Sequence, residues 1–379
     1  MIRVQIIQPV VLEYRVAFFN ALACVDGLQI QVYASKRLPY ADLKSVSKFE
    51  DFIHLNHPCI GFIGNRLLWQ KRLRLSEDLQ SGDVLVVSGN PRFLSNFPLI
   101  LKAKRRNIGV VWWGHGWSAS SSQITATIRR SIMRWMDVIL LYTDKEVEEY
   151  KQRGFSPDKL FATNNTIDQK PIQKAMLAWS ASRLDKFKIQ NNLLDKRILL
   201  FCGRLTANKG LDLMLDALAR ISKIDSNYLL VVIGEGKEKQ RLMKQASMLG
   251  IDGHIRWVGS LFDQMQMAPW FMSAECLVYP GAIGLSLIHA FSYGLPVITH
   301  GNMINQMPEI AALQNGENGL LFSEGNVDNL VEKILFLAEH PDVRSKMSTQ
   351  ALNTVANKFS MDNMVKQFVN AIYAAAQKK

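Results

Sequence analysis

Three strings in the second half of the chain set glycines, cations and a helix start where an apolar run ends, a combination suited to binding phosphate. The first is Gly203-Arg204-Leu205-Thr206-Ala207-Asn208-Lys209-Gly210. Gly203 frees the backbone, and the helical pattern that follows offers amides and the positive end of its dipole. Arg204 and Lys209, five residues apart, can converge there on two phosphates. A solvated loop with two surface cations is an equally good reading of this string by itself. The second, Ile233-Gly234-Glu235-Gly236-Lys237, is a Gly-x-Gly turn that allows a ligand close to the backbone without demanding one. In the third, Tyr279-Pro280-Gly281-Ala282-Ile283-Gly284-Leu285-Ser286, a strand ends at Pro280 and a helix begins near Gly284. Amides at residues 284–286 can hold an anion at that start. His289 lies one turn further in, facing back to the same opening; alone, it reads as a core histidine of an apolar helix.

The first half offers His115, within Trp112-Trp113-Gly114-His115-Gly116-Trp117. Flanking glycines leave the imidazole open to donate or accept, and loops at strand ends carry sites. Glu13-Tyr14-Arg15 falls in the first such loop. There Arg15 can contact an anionic substrate, or pair with Glu13.

The elements that must position these residues alternate. Short apolar runs at 3–9, 29–34, 83–88, 108–113, 137–142 and 160–164 read as strands, with helices such as 17–25, 93–106 and 124–136 between them. After a polar, helical connector from 166 to 192 the pattern restarts. Strands are expected at 197–202, 228–234, 254–259, 276–279, 297–299 and 319–322, with helices at 211–224 and 237–249 and a helical tail over 327–376. Alternation of this kind builds parallel sheets covered by helices, with ligands at the strands' carboxyl ends. Two doubly wound domains follow, with the natural site in the cleft between them: 1–168, a connector 169–192, 193–360, and a last helix 361–379 returning to the first domain.

Composition narrows the function. At 379 residues, 48% hydrophobic and 21% charged, the chain is a soluble globular protein of two domains. No apolar run reaches the roughly 20 residues of a membrane span. The start reads as a strand without a cleavable signal peptide, and four scattered cysteines suit a reducing cytoplasm. The net charge of +12 is uneven: residues 1–180 hold 24 Lys and Arg against 15 Asp and Glu, residues 181–379 hold 21 against 18. The first half therefore favours an anionic partner. Nucleic acid would need a recognised module, and none is visible. Apolar and basic residues interleave from Arg66 to Leu75, which suits either an anionic lipid surface or the two sides of an amphipathic helix. There is no Gly-x4-Gly-Lys-Ser/Thr loop, nucleophile elbow, His-Glu-x2-His pair, Asp-x-Asp or complete dinucleotide fingerprint. His54, His57 and Cys59 lack a fourth zinc ligand, and the intervening Pro58 favours a surface loop.

In order, the second-half strings resemble the glycosyltransferase family 4 enzymes. The matching text is Gly203-Arg204-Leu205…Lys209-Gly210, Val232-Ile233-Gly234-Glu235-Gly236, Val258-Gly259, Gly284-Leu285-Ser286, Gly294-Leu295-Pro296-Val297-Ile298, Pro308-Glu309-Ile310 and Gly316-Glu317-Asn318-Gly319-Leu320-Leu321. The resemblance implies an α/β GT-B fold of two Rossmann-like domains. It implies a retaining, metal-independent transfer of sugar from a nucleotide diphosphate sugar, with no cofactor. Arg204 and Lys209 would neutralise the leaving diphosphate, and His115 would contact the donor sugar. Gly203, Gly234, Ile283, Gly284, Leu285, Ser286 and His289 would bind the donor, and Gly259, Ser260 and Leu261 would line its base. Glu13 and Arg15 are the acceptor-side candidates. The family commonly carries two glutamates eight positions apart, where this chain has Gly281 and His289. The expected role is assembly of lipopolysaccharide, capsule or exopolysaccharide on a glycan or polyprenyl-diphosphate acceptor. That places the protein in the cytoplasm, peripheral on the inner membrane face; the alternative is a non-catalytic nucleotide-sugar-binding partner.

Overall fold

A computed structural model describes residues 1–39, 43–116 and 123–377. Trp117, at the end of the His115 string, lies outside them. The chain divides into two units, 1–167 with 361–379, and 168–360.

The first unit is built on β1 (Ile2–Ile7), β2 (Leu28–Tyr33), β3 (Ile53–His54), β4 (Cys59–Phe62), β5 (Leu67–Gln70), β6 (Val84–Ser88), β7 (Gly109–Trp113), β8 (Val138–Leu141) and β9 (Leu160–Ala162). Seven of them form one sheet in the order β3-β2-β1-β6-β7-β8-β9, parallel throughout. The helices are α1 (Glu13–Ala23), α2 (Asn96–Arg105), α3 (Gln123–Arg134) and α4 (Asp144–Gln152). Strands β6, β7 and β8 are buried at every position, as a sheet covered on both faces requires. One face packs on α1 and the closing helix Met361–Ala376, where Phe18, Phe19, Trp113 and Phe368 form a ring cluster with Phe18–Phe368 centroids 5.2 Å apart. The other face packs on Leu99, Ile100 and Ala103 of α2, Met133 of α3, and Val147 and Tyr150 of α4.

The stretch after Arg66 is a strand rather than an amphipathic helix. Strand β5 pairs antiparallel with β4, and its burial alternates, with Leu68 and Gln70 inward and Trp69 outward. Three of the four residues Leu67–Gln70 are large and apolar, which suits a pleated strand. Ile63, Gly64 and Asn65 turn the hairpin with positive φ. The histidines beside it serve packing: His54 Nε2 meets Gln31 Oε1, His57 Nδ1 meets the Lys71 carbonyl at 3.3 Å, and Tyr33 lies between both rings. Among the described residues no group of three acidic, histidine or cysteine side chains stands where it could hold a metal.

The second unit carries α5 (Lys170–Ala178), α6 (Ala181–Gln190), β10 (Arg197–Cys202), α7 (Leu211–Ile224), β11 (Tyr228–Ile233), α8 (Lys239–Leu249), β12 (Ile255–Gly259), α9 (Gln264–Ser273), β13 (Cys276–Tyr279), α10 (Leu285–Ser292), β14 (Val297–His300), β15 (Gly319–Phe322), α11 (Val327–Glu339) and α12 (Pro341–Asn357). Its parallel sheet runs β12-β11-β10-β13-β14-β15. Helix α7 shows why the pattern folds this way: Leu211, Met214, Leu215, Leu218 and Ile221 recur at helical spacing and are all buried. Each such side chain contributes about 1.5–3 kcal/mol of transfer free energy. Strand order reverses between β10 and β13, so the loops leaving these two neighbours diverge and open a crevice at their carboxyl ends.

Candidate active site

That switch point in the second unit gathers the phosphate-binding strings. The loop after β10 and the loop after β13 are tied by three hydrogen bonds. Gly281 N–H donates to the Lys209 carbonyl at 3.0 Å, Ala282 N–H to the Asn208 carbonyl at 3.2 Å, and Lys209 Nζ to the Ala282 carbonyl at 2.7 Å. Gly210, at φ +65°, begins α7 against the backbone of Pro280 and Gly281. A Cβ on Gly281 would stand 2.6 Å from Lys209 Cα and nearer still to Asn208 O. The two loops therefore meet backbone to backbone, which only glycine allows here.

Lys209 is half-buried with its ammonium 5.4 Å from the Tyr279 ring centroid. Burial, aided by the Arg204 charge and opposed by Glu309, pulls its pKa down to about 8. Arg204 is exposed at the mouth of the same loop. Gly284 caps α10; its carbonyl accepts from Leu287 N–H at 2.9 Å, and a helix start leaves the amides before that one without a partner in the helix. Burial pushes the Tyr279 phenol's pKa up, opposed by the neighbouring Ser286 side chain. Leu285 and Ser286 are half-buried. Ile283 is different from the donor contact expected of it. Its side chain is fully buried and its N–H donates to Gln306 Oε1 at 2.8 Å, so it supports the loop.

Three further glycines end adjacent strands. Gly203 follows β10, Gly234 follows β11 at φ +146°, and Gly259 ends β12 at φ +86°. Gly234 N–H donates to the Gly259 carbonyl at 2.8 Å, and a Cβ on Gly234 would strike the Gly203 carbonyl. Ser260 is exposed and Leu261 half-buried beside the fully presented Phe262, which is 89% exposed. His289 reaches toward this outer edge. Its Nε2 meets Gln264 Oε1 at 3.0 Å, Tyr293 donates its hydroxyl to the same oxygen at 2.8 Å, and the ring lies 4.6 Å from that of Phe271. Burial pulls the His289 pKa down to about 4, so the ring is neutral near pH 7 with its Nε2 proton on Gln264.

In the first unit His115 follows β7, with its ring 4.4 Å from that of Tyr142. Burial, then the charges of Arg129 and Arg15, pull its pKa down to about 4. Arg15 joins it: the side chain is buried, and its guanidinium stands 4.8 Å over Trp113 and 5.7 Å over Tyr142. Glu13 does not; it is exposed at the start of α1.

Residues 182–354 match the family model described as glycosyl transferases group 1. An uncharacterized glycosyltransferase of Haemophilus influenzae is 22% identical over 347 residues, 90% of this chain and 84% of its own length. The lipopolysaccharide core biosynthesis glycosyltransferase LpsE of Rhizobium meliloti is 22% identical over 181 residues, which are 47% of this chain and 50% of LpsE. Among solved structures, a glycosyltransferase from Rickettsia africae superposes with a TM-score of 0.70 at 14% identity, covering 100% of this chain and 99% of that one. Anabaena Alr3699/HepE in complex with UDP gives 0.68 at 13%, covering 97% and 98%. The fold is that of GT-B glycosyltransferases.

The site also holds residues that the sequence strings leave without a role. Glu309 is 5% exposed, and its Oε2 lies 3.8 Å from where a Cβ on Gly284 would stand. Its carboxylate acts on Lys209. Gln306, buried, bonds Ile283 N–H and donates to Thr299 Oγ1 and the His300 carbonyl, both at 3.0 Å, fixing the β13 loop to β14. The Pro308-Glu309-Ile310 string marked the place of Glu309; Gln306 and Gln264 carried no such mark.

Proposed function

We propose that this protein is a retaining glycosyltransferase that moves a sugar from a nucleotide diphosphate sugar to a glycan or lipid-linked acceptor in bacterial surface-polysaccharide assembly. The observation that carries this is the crevice between the β10 and β13 loops, where Lys209, Arg204 and the amides opening α10 converge. Charge that develops on a leaving diphosphate would be stabilised there by donors already in place, which requires no metal. Gly259, Ser260 and Leu261 would border the base, and His289, beside them through Gln264, the ribose. His115 would contact the donor sugar and Arg15 the acceptor. The UDP complex of the HepE neighbour supports a nucleoside diphosphate as the ligand class. The LpsE relative supports surface polysaccharide as the product class.

Attachment to the inner membrane face is part of the same proposal. The β4–β5 hairpin presents Phe62, Ile63 and Trp69 to solvent, Ile63 at 69%, with exposed Arg66, Lys71 and Arg72 around them. Apolar tips among cations suit an anionic lipid surface. A non-catalytic nucleotide-sugar binder is the second reading, favoured by Gly281 and His289 standing where the resembling family commonly has glutamates. Thermal shift with a panel of nucleotide sugars, followed by assay of nucleoside diphosphate release, separates the two. Stabilisation with release supports the transferase, and stabilisation without release in the presence of lipid-linked acceptors the binder. No stabilisation by any nucleotide sugar overturns both.

A further inference from the structure

Beside His115 the first unit buries a cation, Arg129, whose guanidinium is only partly matched among the described residues. Arg129, on α3, is 8% exposed, and its Nε and Nη1 are buried without a hydrogen-bond partner. Among the described residues it forms no ion pair with any carboxylate. Glu146 acts on it electrostatically, while its oxygens accept from other groups: Oε1 from Gly116 N–H at 2.9 Å, Oε2 from Tyr142 N–H at 3.1 Å and from the Thr143 hydroxyl. Tyr150 likewise gives its hydroxyl to the Gly116 carbonyl. His115 feels the charges of both Arg129 and Arg15, and Arg15 lies buried on the faces of Trp113 and Tyr142.

A buried guanidinium with idle donors is costly, because its desolvation is repaid only by an anion in good geometry. Native interiors rarely keep such a group without a ligand to complete it. Arg129 and Arg15 stand with the neutral His115 imidazole and the rings of Trp113 and Tyr142 near the end of β7, and guanidinium groups so placed are the donors a doubly charged oxyanion takes. We propose that Arg129, with Arg15, binds a phosphate group of the acceptor. Assigning that phosphate to the acceptor rests on the transferase reading; the anion site itself does not. The carrier is a lipid-linked diphosphate or a phosphorylated sugar, and both present the same oxygens.

The test uses the full chain in an Arg204→Ala, Lys209→Ala background, which removes the cations of the second-unit crevice. Inorganic phosphate, glucose 1-phosphate and farnesyl diphosphate are titrated by calorimetry and thermal shift, with and without Arg129→Met. The expected result is that phosphate-bearing probes bind the background protein and that R129M weakens them about tenfold or more. Without ligand, R129M should melt at the same temperature or higher, since it removes an unpaired buried charge. Tighter farnesyl diphosphate than glucose 1-phosphate assigns the lipid carrier, and the reverse assigns the sugar phosphate, provided either depends on Arg129. Phosphate binding indifferent to R129M overturns the proposal. So does an R129M protein whose ligand-free melting temperature falls, because Arg129 would then be structural. Binding of UDP to the wild-type chain through Arg204 and Lys209 is read separately, so failure here leaves the donor site standing.

Discussion

Lys209 gives the donor site a pH dependence that can be worked out in advance. The free side chain, pulled down to about 8 by burial and by Arg204, is charged at neutral pH and loses its proton within the accessible range. A bound diphosphate adds negative charge beside it and restores the ordinary, higher pKa. At pH 7 about nine-tenths of the free chains carry the proton, and at pH 9 about one-tenth. Affinity for a nucleoside diphosphate should therefore fall about tenfold over those two units, or about 1.4 kcal/mol. The ligand's terminal phosphate titrates near pH 6 and contributes little to that slope.

Calorimetric titration of UDP at pH 7, 8 and 9, in buffers of differing ionisation enthalpy, reads both the affinity and the proton taken up. Lys209→Met removes the titrating group and one charge-assisted bond worth about 1.5–3 kcal/mol. Its affinity at pH 7 should fall about 10- to 100-fold and then stay flat with pH. Proton uptake on binding near pH 8 should vanish in the variant. A wild-type affinity that does not change from pH 7 to 9, or a slope that survives K209M, would refute the placement of Lys209 against the diphosphate.

Two other expectations follow from the same geometry. Gly281→Ala drives a Cβ to 2.6 Å from Lys209 Cα, an overpacking worth about 1–3 kcal/mol; thermal unfolding should show the second unit melting about 3–10 °C lower, and an unchanged melting temperature would show that the loops yield freely. His115 and His289, both held near 4 by burial, stay neutral in the fold but take up protons near 6.5 when unfolded. Each stabilises the protein above pH 6.5 by on the order of 3 kcal/mol relative to pH 4, and this is lost as pH falls through that window. Melting temperatures across pH 4–7 should therefore drop steeply, less so in His289→Gln, and identical profiles would dismiss the histidine contribution.

The sheets were legible because parallel strands buried on both faces leave continuous apolar runs. The runs at 197–202, 276–279 and 319–322 are β10, β13 and β15 to the residue. The hairpin was not legible. Its two strands pair only locally, so the alternation of Leu68 and Trp69 competes with a helical reading of the same cations, and the turn at Ile63-Gly64-Asn65 has only one glycine to mark it. The phosphate loops announced themselves through glycine, cation and helix start. What stayed hidden was support: Gln306 and Gln264 act through side-chain amide hydrogen bonds to distant backbone and side chains, and no local spacing encodes those. Arg129 was visible only as one cation among several, since burial without a partner is a property of the fold.

The two positions at which the resembling family commonly has glutamates are each tied here to a local arrangement. A side chain at 281 has no room, because the β10 loop lies against that backbone and its carbonyls at 208 and 209 accept from Ala282 and Gly281. The close approach is also what holds Lys209 Nζ on the Ala282 carbonyl, so a glutamate there would displace the cation that the crevice needs. At 289 the neighbouring groups are set for a donor. Gln264 Oε1 accepts from both His289 Nε2 and Tyr293; a carboxylate in the same place would set oxygen against oxygen until the amide turned over. With Nε2 carrying the proton, the neutral ring keeps Nδ1 as its acceptor. In the proposed donor site a ribose hydroxyl would give its hydrogen to that nitrogen as it would to a carboxylate, so histidine in place of glutamate would keep the polarity of such a contact while removing its charge.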